Sequence, residues 1–295
     1  MTRMQARMLP DGRKLHLNDG PIDLIISAEG DAADVGRAYA AVHARFATVL
    51  DELCAELPLL RQAAGAAPSG LVALRMWQAT LPLGRHAFIT PMAAVAGSVA
   101  EEMLAAMCAA APLSRAFVNN GGDIALHLAP GMSYEVGLVD RPDRPSLFST
   151  ARIVPEDSVQ GIATSGWRGR SFSLGIADAV TVLAERASMA DGAATLIANA
   201  VDLPGHPAVT RVAAAELQPD SDLGSRPVTR QVGALRGNEI AAALAAGVAF
   251  GETLLREGRI IAAALHLAGE TRTLGRIDAG SEGQEIPRLG RGDPS

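Results

Sequence analysis

The chain changes hydrophobic period at Asp31, from strand-like alternation to helical spacing, and repeats the change further on. This constrains its fold more than any single motif. Before Asp31, "MQARMLP" and "KLHLND" flank the turn signal Pro10-Asp11-Gly12, and "IDLIISAEG" follows as a third extended run. From there "DAADVGRAYAAVHARFATVLDELCAELPLL" repeats its apolar positions at helical spacing, with Asp31 or Asp34 at its start. A second helical stretch covers Val72 to Thr80. A third, "PMAAVAGSVAEEMLAAMCAAA", holds Pro91 in its first turn, where the missing N–H costs nothing. Its small residues Ala93, Ala94, Ala96 and Gly97 let another element approach closely.

Extended runs return at "RAFVN", "IALHLA", "YEVGLVD", "ARIVP", "GIATSG" and "AVTVLA". They lead to a helix over Ser188 to Val201, "SMADGAATLIANAV". A Pro-rich polar stretch runs to Thr229, then a long helix, "GNEIAAALAAGVAFGETLLREG", and a closing strand, "RIIAAALHLAGETRTL". Strands, helices, strands, helices is the order of an α+β chain with two similar halves, not of a βαβ alternation. From Gly275 to Ser295 periodicity is lost and the chain reads as a disordered tail, leaving 1–274 as one α+β domain.

Composition narrows the classes of function. A chain of 295 residues that is 48% apolar can bury a substantial core. A formal charge of -6 without a Lys/Arg cluster argues against a nucleic-acid partner. The first twenty residues hold no apolar core followed by a small-residue cleavage site. Later apolar runs are broken by charge, Gly or Pro, so the expected location is cytoplasmic, with no membrane partner. Cys54 and Cys108 lie in helical patterns and read as free thiols.

Three segments carry candidate chemistry. In "VNNGGDI" two glycines free the backbone for a tight turn or for close approach of a ligand, and Asp123 can accept hydrogen bonds from a ring or sugar; Asn-Gly is equally the strongest short hairpin signal. In "GIATSGWRGRS" the hydroxyls of Thr164 and Ser165 precede Gly166, the aromatic face of Trp167 and the guanidinium groups of Arg168 and Arg170. That set suits a phosphate or a stacked ring, or an exposed basic turn. In the "SMADGAATLIANAV" helix, Asp191 and Thr195 share one face a turn apart and could both give oxygen to a hard cation; alternatively, the dipole of their own helix holds the Asp and the Thr bonds back to a carbonyl. Asp178 reads as a turn acceptor or a site residue. The six histidines are scattered and form no catalytic constellation.

In their order and spacing, "PMAAVAGSVAEEML", "AFVNNGGDIAL", "ATSGW", "AVTVLA" and "MADGAATLIANAV" resemble the successive signature segments of the ApbE superfamily, whose best-known members are FAD:protein FMN transferases. The resemblance implies a T-fold-like core, antiparallel sheet packed against paired long helices. It implies Mg²⁺ ligands at Asp191 and Thr195, with a backbone carbonyl near Ala93 as a third. It places a flavin nucleotide, FAD or a relative, against Asn120, Gly121, Gly122 and Asp123 and against Thr164, Ser165 and Gly166, with Trp167 and Arg168 adjoining.

The chain departs from the family's transferases in two places. Ala96 stands where they carry a Lys before the helix glycine, and "WRGRSFSLGIAD" replaces a His-x-x-Asp-Pro segment. The expected activity is Mg²⁺-assisted binding of a flavin nucleotide, with FMN transfer or pyrophosphate cleavage. The alternatives are a non-catalytic flavin-binding module and an enzyme acting on a purine- or pterin-like ring. The expected partner is a small-molecule nucleotide, and the pattern leaves room for a homo-oligomer.

Overall fold

The protein is described by a computed structural model covering residues 4–139 and 147–275. Each half is built as a hairpin, a pair of long helices and a second hairpin, and the first half carries a third helix between its pair. In the first half the edge strand β1 (Gln5–Met8) precedes the hairpin β2 (Lys14–Asp19) and β3 (Ile22–Glu29). The helices are α1 (Ala32–Leu60), α2 (Leu71–Leu83) and α3 (Val95–Ala110), the last entered through a 3₁₀ turn at Pro91–Ala94. Strands β4 (Arg115–Asn120) and β5 (Asp123–Leu128) close this half. An inserted ribbon, β6 (Tyr134–Val139) and β7 (Leu147–Ile153), leads to the second half.

The second half runs β8 (Gly161–Ser165), β9 (Ala179–Ala184) and α4 (Ala187–Ala200), then a small excursion of β10 (Val209–Ala213), α5 (Ala214–Leu217) and β11 (Pro227–Val232). It ends with α6 (Gly237–Arg256), β12 (Ala262–Leu267) and β13 (Glu270–Gly275). Among the described residues, nine strands form one antiparallel sheet in the order β1-β2-β3-β4-β5-β8-β9-β12-β13, so the two hairpin pairs lie side by side. This is the expected α+β architecture of two similar halves.

Pattern explains placement. In α1 the buried positions Ala38, Val42, Phe46, Val49 and Leu53 recur at helical spacing and meet Leu17, Leu24 and Ile26 from the alternating strands. The second core joins Val180, Val182 and Leu265 to Ile197 and Leu244. Strands β9 and β12 are buried at every position because their other face is covered as well: Leu183 and Ala262 pack with Ile153 and Val159. Cys54 and Cys108 are unpaired. Pro91–Ala110 and Gly237–Arg256 are long and apolar enough to cross a bilayer by length and composition, and both lay buried side chains on the sheet.

Three expectations change in detail. The closing "strand" is the hairpin of β12 and β13, turned by Ala268 and Gly269 at φ 50° and 88°. The Pro-rich stretch contains the ribbon of β10 and β11. Gly275 ends β13 opposite Ala262, and the rest of the expected tail, 276–295, lies outside the described residues.

Candidate functional site

Helix α3 begins without a cap of its own, because the residue before it is Ala94, whose side chain has no acceptor. The acceptor comes from another helix: Asp191 Oδ2 takes a hydrogen bond from Gly97 N at 2.9 Å. Gly97 allows this approach, since a Cβ there would meet the Ala187 carbonyl oxygen at 2.2 Å. The dipole beside Asp191 is therefore that of α3, not of its own helix α4. Thr80 and Thr253 each bond back to the carbonyl four residues earlier, but the Thr195 hydroxyl has no hydrogen-bond partner among the described residues. Ala93 lies in the 3₁₀ turn that leads into α3 and packs on the second core.

The Asn-Gly-Gly-Asp segment is a hairpin turn and part of the same junction. Asn120 pairs with Asp123, and Gly121 and Gly122 turn the chain at φ 67° and 117°, a conformation that favours glycine. Asn120 Nδ2 donates to the Ala96 carbonyl at 3.2 Å, tying the turn to the start of α3. Asp123 Oδ1 accepts from Thr164 N at 3.2 Å, where the pairing of β5 with β8 has already ended. The two motif segments thus meet across the seam between the halves.

Thr164 contributes its amide here, not its hydroxyl. Thr164 Oγ1 bonds Thr181 Oγ1 at 2.9 Å. By strand alternation both hydroxyls lie opposite the face on which Ala163 and Val182 meet the helices, whereas Ser165, opposite Val180, is on the helix side. Gly166 is obligatory, because a Cβ would meet the Asp178 carbonyl oxygen at 2.4 Å. Trp167 Nε1 and Arg168 Nε both donate to Asp178 Oδ1, at 3.2 and 2.5 Å, and the guanidinium of Arg168 lies 4.3 Å from the centroid of the Trp167 ring. Asp178 Oδ2 accepts from Ala268 N at 2.7 Å. Asp178 is therefore the acceptor that ties this loop to the last hairpin.

Electrostatics unite Asp123 and Asp191. Burial raises the Asp123 carboxyl to about 7, against the Thr164 amide and the charge of Arg170. Burial also holds Asp191 well above the usual carboxylate range, and the Asp123 charge adds to it, against the amides of Gly97 and Ala96. Two carboxyl groups that repel one another in a poorly solvated place favour a proton or a cation. Among the described residues no three His, Cys, Asp or Glu side chains gather as a metal site. The available donor set is instead carboxylate, hydroxyl and carbonyl oxygen, which suits a hard cation that keeps water or phosphate in its other positions.

A separate cleft of about 380 Å³ lies beside α3, but its Arg75 and Arg186 are paired with Glu101. Sequence reasoning missed the contact of Asp191 with α3, because helical periodicity sees only a residue's own helix. It also missed Arg7, His16 and Asp23, which line a cleft beside the Asn-Gly-Gly turn. Their signal was the polar half of the strand alternation near the N-terminus.

Paired hairpin–helix–helix–hairpin halves, with an acidic junction between α3 and α4, define an ApbE-like class of α+β protein. The family model described as "AbpE bacteria" matches residues 6–273, and the chain belongs to that family. A UPF0280 protein of Methanopyrus kandleri is 44% identical over 130 residues, 43% of this chain and 48% of that protein. One from Methanococcoides burtonii is 38% identical over 135 residues, 43% of this chain and 52% of that protein. The chain thus spans about half the length of the curated relatives it matches. Among solved structures, the apo flavinyl transferase ApbE of Pseudomonas stutzeri aligns with a TM-score of 0.40 at 11% identity, covering 92% of this chain and 93% of that one.

Proposed function

We propose that this protein binds FAD or a related nucleotide together with Mg²⁺ at the junction of α3, α4 and the seam between β5 and β8. The observation that carries this reading is the meeting of family-like segments at one junction, where Asp191 accepts from Gly97, Asn120 donates to the Ala96 carbonyl and Asp123 accepts from the Thr164 amide. Asp191 and Thr195 would hold the ion, with the carbonyl of Ala93 as a third donor. One Asp191 oxygen is anchored on Gly97 N, and Thr195 is not engaged elsewhere among the described residues, so this donor set fits. Bound there, Mg²⁺ would offset the charge of a pyrophosphate.

The chain's own groups divide the remaining work. Asn120, held by the Ala96 carbonyl, and the turn glycines Gly121 and Gly122 shape the wall against which a ring or sugar rests. Asp123 accepts a hydrogen bond from the ligand, and Ser165 offers a hydroxyl on the helix side. Thr164 and Gly166 fix the backbone of the β8 end. Trp167 and Arg168 contribute a packed wall, because their ring and Nε donors are already given to Asp178.

A second reading, binding without transfer, is favoured by Ala96, which leaves no cationic side chain at the start of α3. A thermal-shift panel separates these readings. FAD with Mg²⁺ should raise the melting temperature more than FAD alone, and pterins should not. Equal stabilisation with and without Mg²⁺ would refute the metal assignment. Release of AMP from FAD identifies pyrophosphate cleavage or transfer, and its absence with FAD bound identifies the binding module.

A further inference from the structure

On the sheet face turned away from the helices, register builds a row of side chains that the nucleotide site does not use. Arg7 is opposite His16, His16 opposite Ile25 and Ile25 opposite Asn119, so four strands contribute neighbours to one line. The row ends at the Asn-Gly-Gly turn. Arg170 lies across that turn so closely that a Cβ on Gly121 would meet its guanidinium nitrogen at 1.9 Å. Arg7, His16, Asp23, Asn119, Gly121 and Arg170 line a cleft of about 350 Å³.

The polar groups of this cleft are arranged in sequence. Arg7 Nε donates to His16 Nδ1 at 3.1 Å, so the opposite ring nitrogen carries the proton toward Asp23 Oδ1 at 2.6 Å. With both ring nitrogens engaged, His16 acts as a strut that aims Arg7 and not as a free base. Only Nε of Arg7 is used in that contact. Arg170 makes no hydrogen bond or ion pair among the described residues; its charge acts on Asp123 from across the turn. Two guanidinium groups against one carboxylate leave the cleft net positive, with unspent N–H donors from two segments far apart in the chain.

We propose that this cleft is an oxyanion site that takes the phosphate group of a phosphorylated ligand, with Arg7 and Arg170 as the binding cations and His16 with Asp23 as positioning residues. Guanidinium groups present paired N–H donors to phosphate oxygens, and the exposed turn leaves room for the rest of the molecule. The site does not depend on what occupies the acidic junction behind it.

The test uses the full chain and inorganic phosphate at constant ionic strength, followed by the NMR resonances of the His16 ring, assigned through His16→Gln. Phosphate should shift them saturably. Arg7→Gln and Arg170→Gln, both surface changes, should each weaken the affinity about tenfold or more, whereas Arg13→Gln should not. No saturable shift, or unchanged affinity in both cleft variants, overturns the proposal. Asp191→Asn should keep phosphate binding even if it abolishes the Mg²⁺-dependent effect of FAD, so the two readings can fail separately. Competition between phosphate and FAD assigns the group to the nucleotide; independent binding assigns it to a second phosphorylated molecule, and both support the site.

Discussion

Asp191 answers two opposed demands. The start of α3 needs an acceptor for its unpaired amides, which favours a carboxylate there. Burial and the neighbouring Asp123 favour a neutral group. In Asp191→Asn the amide oxygen can still accept from Gly97, so the fold should persist while Mg²⁺-dependent FAD affinity falls at least about tenfold; titration calorimetry with and without Mg²⁺ reads this directly. Identical affinity and Mg²⁺ response in parent and variant would remove Asp191 from the ion. Asp123 has its own signature. An acid whose folded pKa lies above its unfolded value keeps a proton that the unfolded chain has lost, so its contribution to stability falls as pH rises from about 4 to about 7. Without Mg²⁺, the parent's melting temperature should therefore drop more between about pH 5 and about pH 7.5 than that of Asp123→Asn. Parallel curves would show that Asp123 is not held protonated.

At the scale of elements, contact between α3 and α4 depends on one missing side chain. Gly97→Ala adds a Cβ where the Ala187 carbonyl already sits, so the helices must separate. The expected loss of roughly 1–3 kcal/mol lowers the melting temperature by several degrees. Gly36→Ala, on the exposed face of α1 with nothing within 4 Å, should instead be neutral or stabilising, as a helix glycine replaced by alanine normally is. A Gly97→Ala protein as stable as Gly36→Ala would refute the close contact. Much of this level was legible in the sequence, because long helices and alternating strands state their buried faces directly. Phe46, Val49 and Leu53 are periodic, and Leu15 and Leu17 alternate. What escaped was set by partners distant in the chain. Val228 and Thr229 look like loop until Val212 and Arg211 pair with them, and the Ala-rich run through Leu267 hides its turn at Ala268. The candidate site was legible as short segments scattered along the chain. That Asn120 reaches Ala96, or that Thr164 offers its amide and not its hydroxyl, follows only from strand register and helix approach.

The molecule as a whole is two hairpin–helix–helix–hairpin units joined along a narrow seam. Interior strands such as β2 with β3, or β9 with β12, pair along their length, whereas β5 and β8 share only the pairs Ile124 with Ile162 and Ala125 with Gly161. Beyond that point the ladder is continued by a side chain, Asp123, accepting from the amide of Thr164. On the helix side the halves are joined by Asp191 on Gly97 and by Glu101, which accepts from the Ser188 amide at 2.8 Å. A ligand at this junction therefore touches both halves, and its binding energy should appear as resistance of the seam to opening. In hydrogen exchange on the unliganded protein, the amides of Thr164 and Leu126 should exchange faster than those at the centres of β3 and β12. Saturating FAD with Mg²⁺ should slow the seam amides several-fold while leaving the strand centres, already limited by larger openings, nearly unchanged. The same addition to Asp191→Asn should give little protection. Protection confined to one half, or spread evenly over the sheet, would mean that the nucleotide does not bridge the seam and that the convergence of the family-like segments serves folding alone.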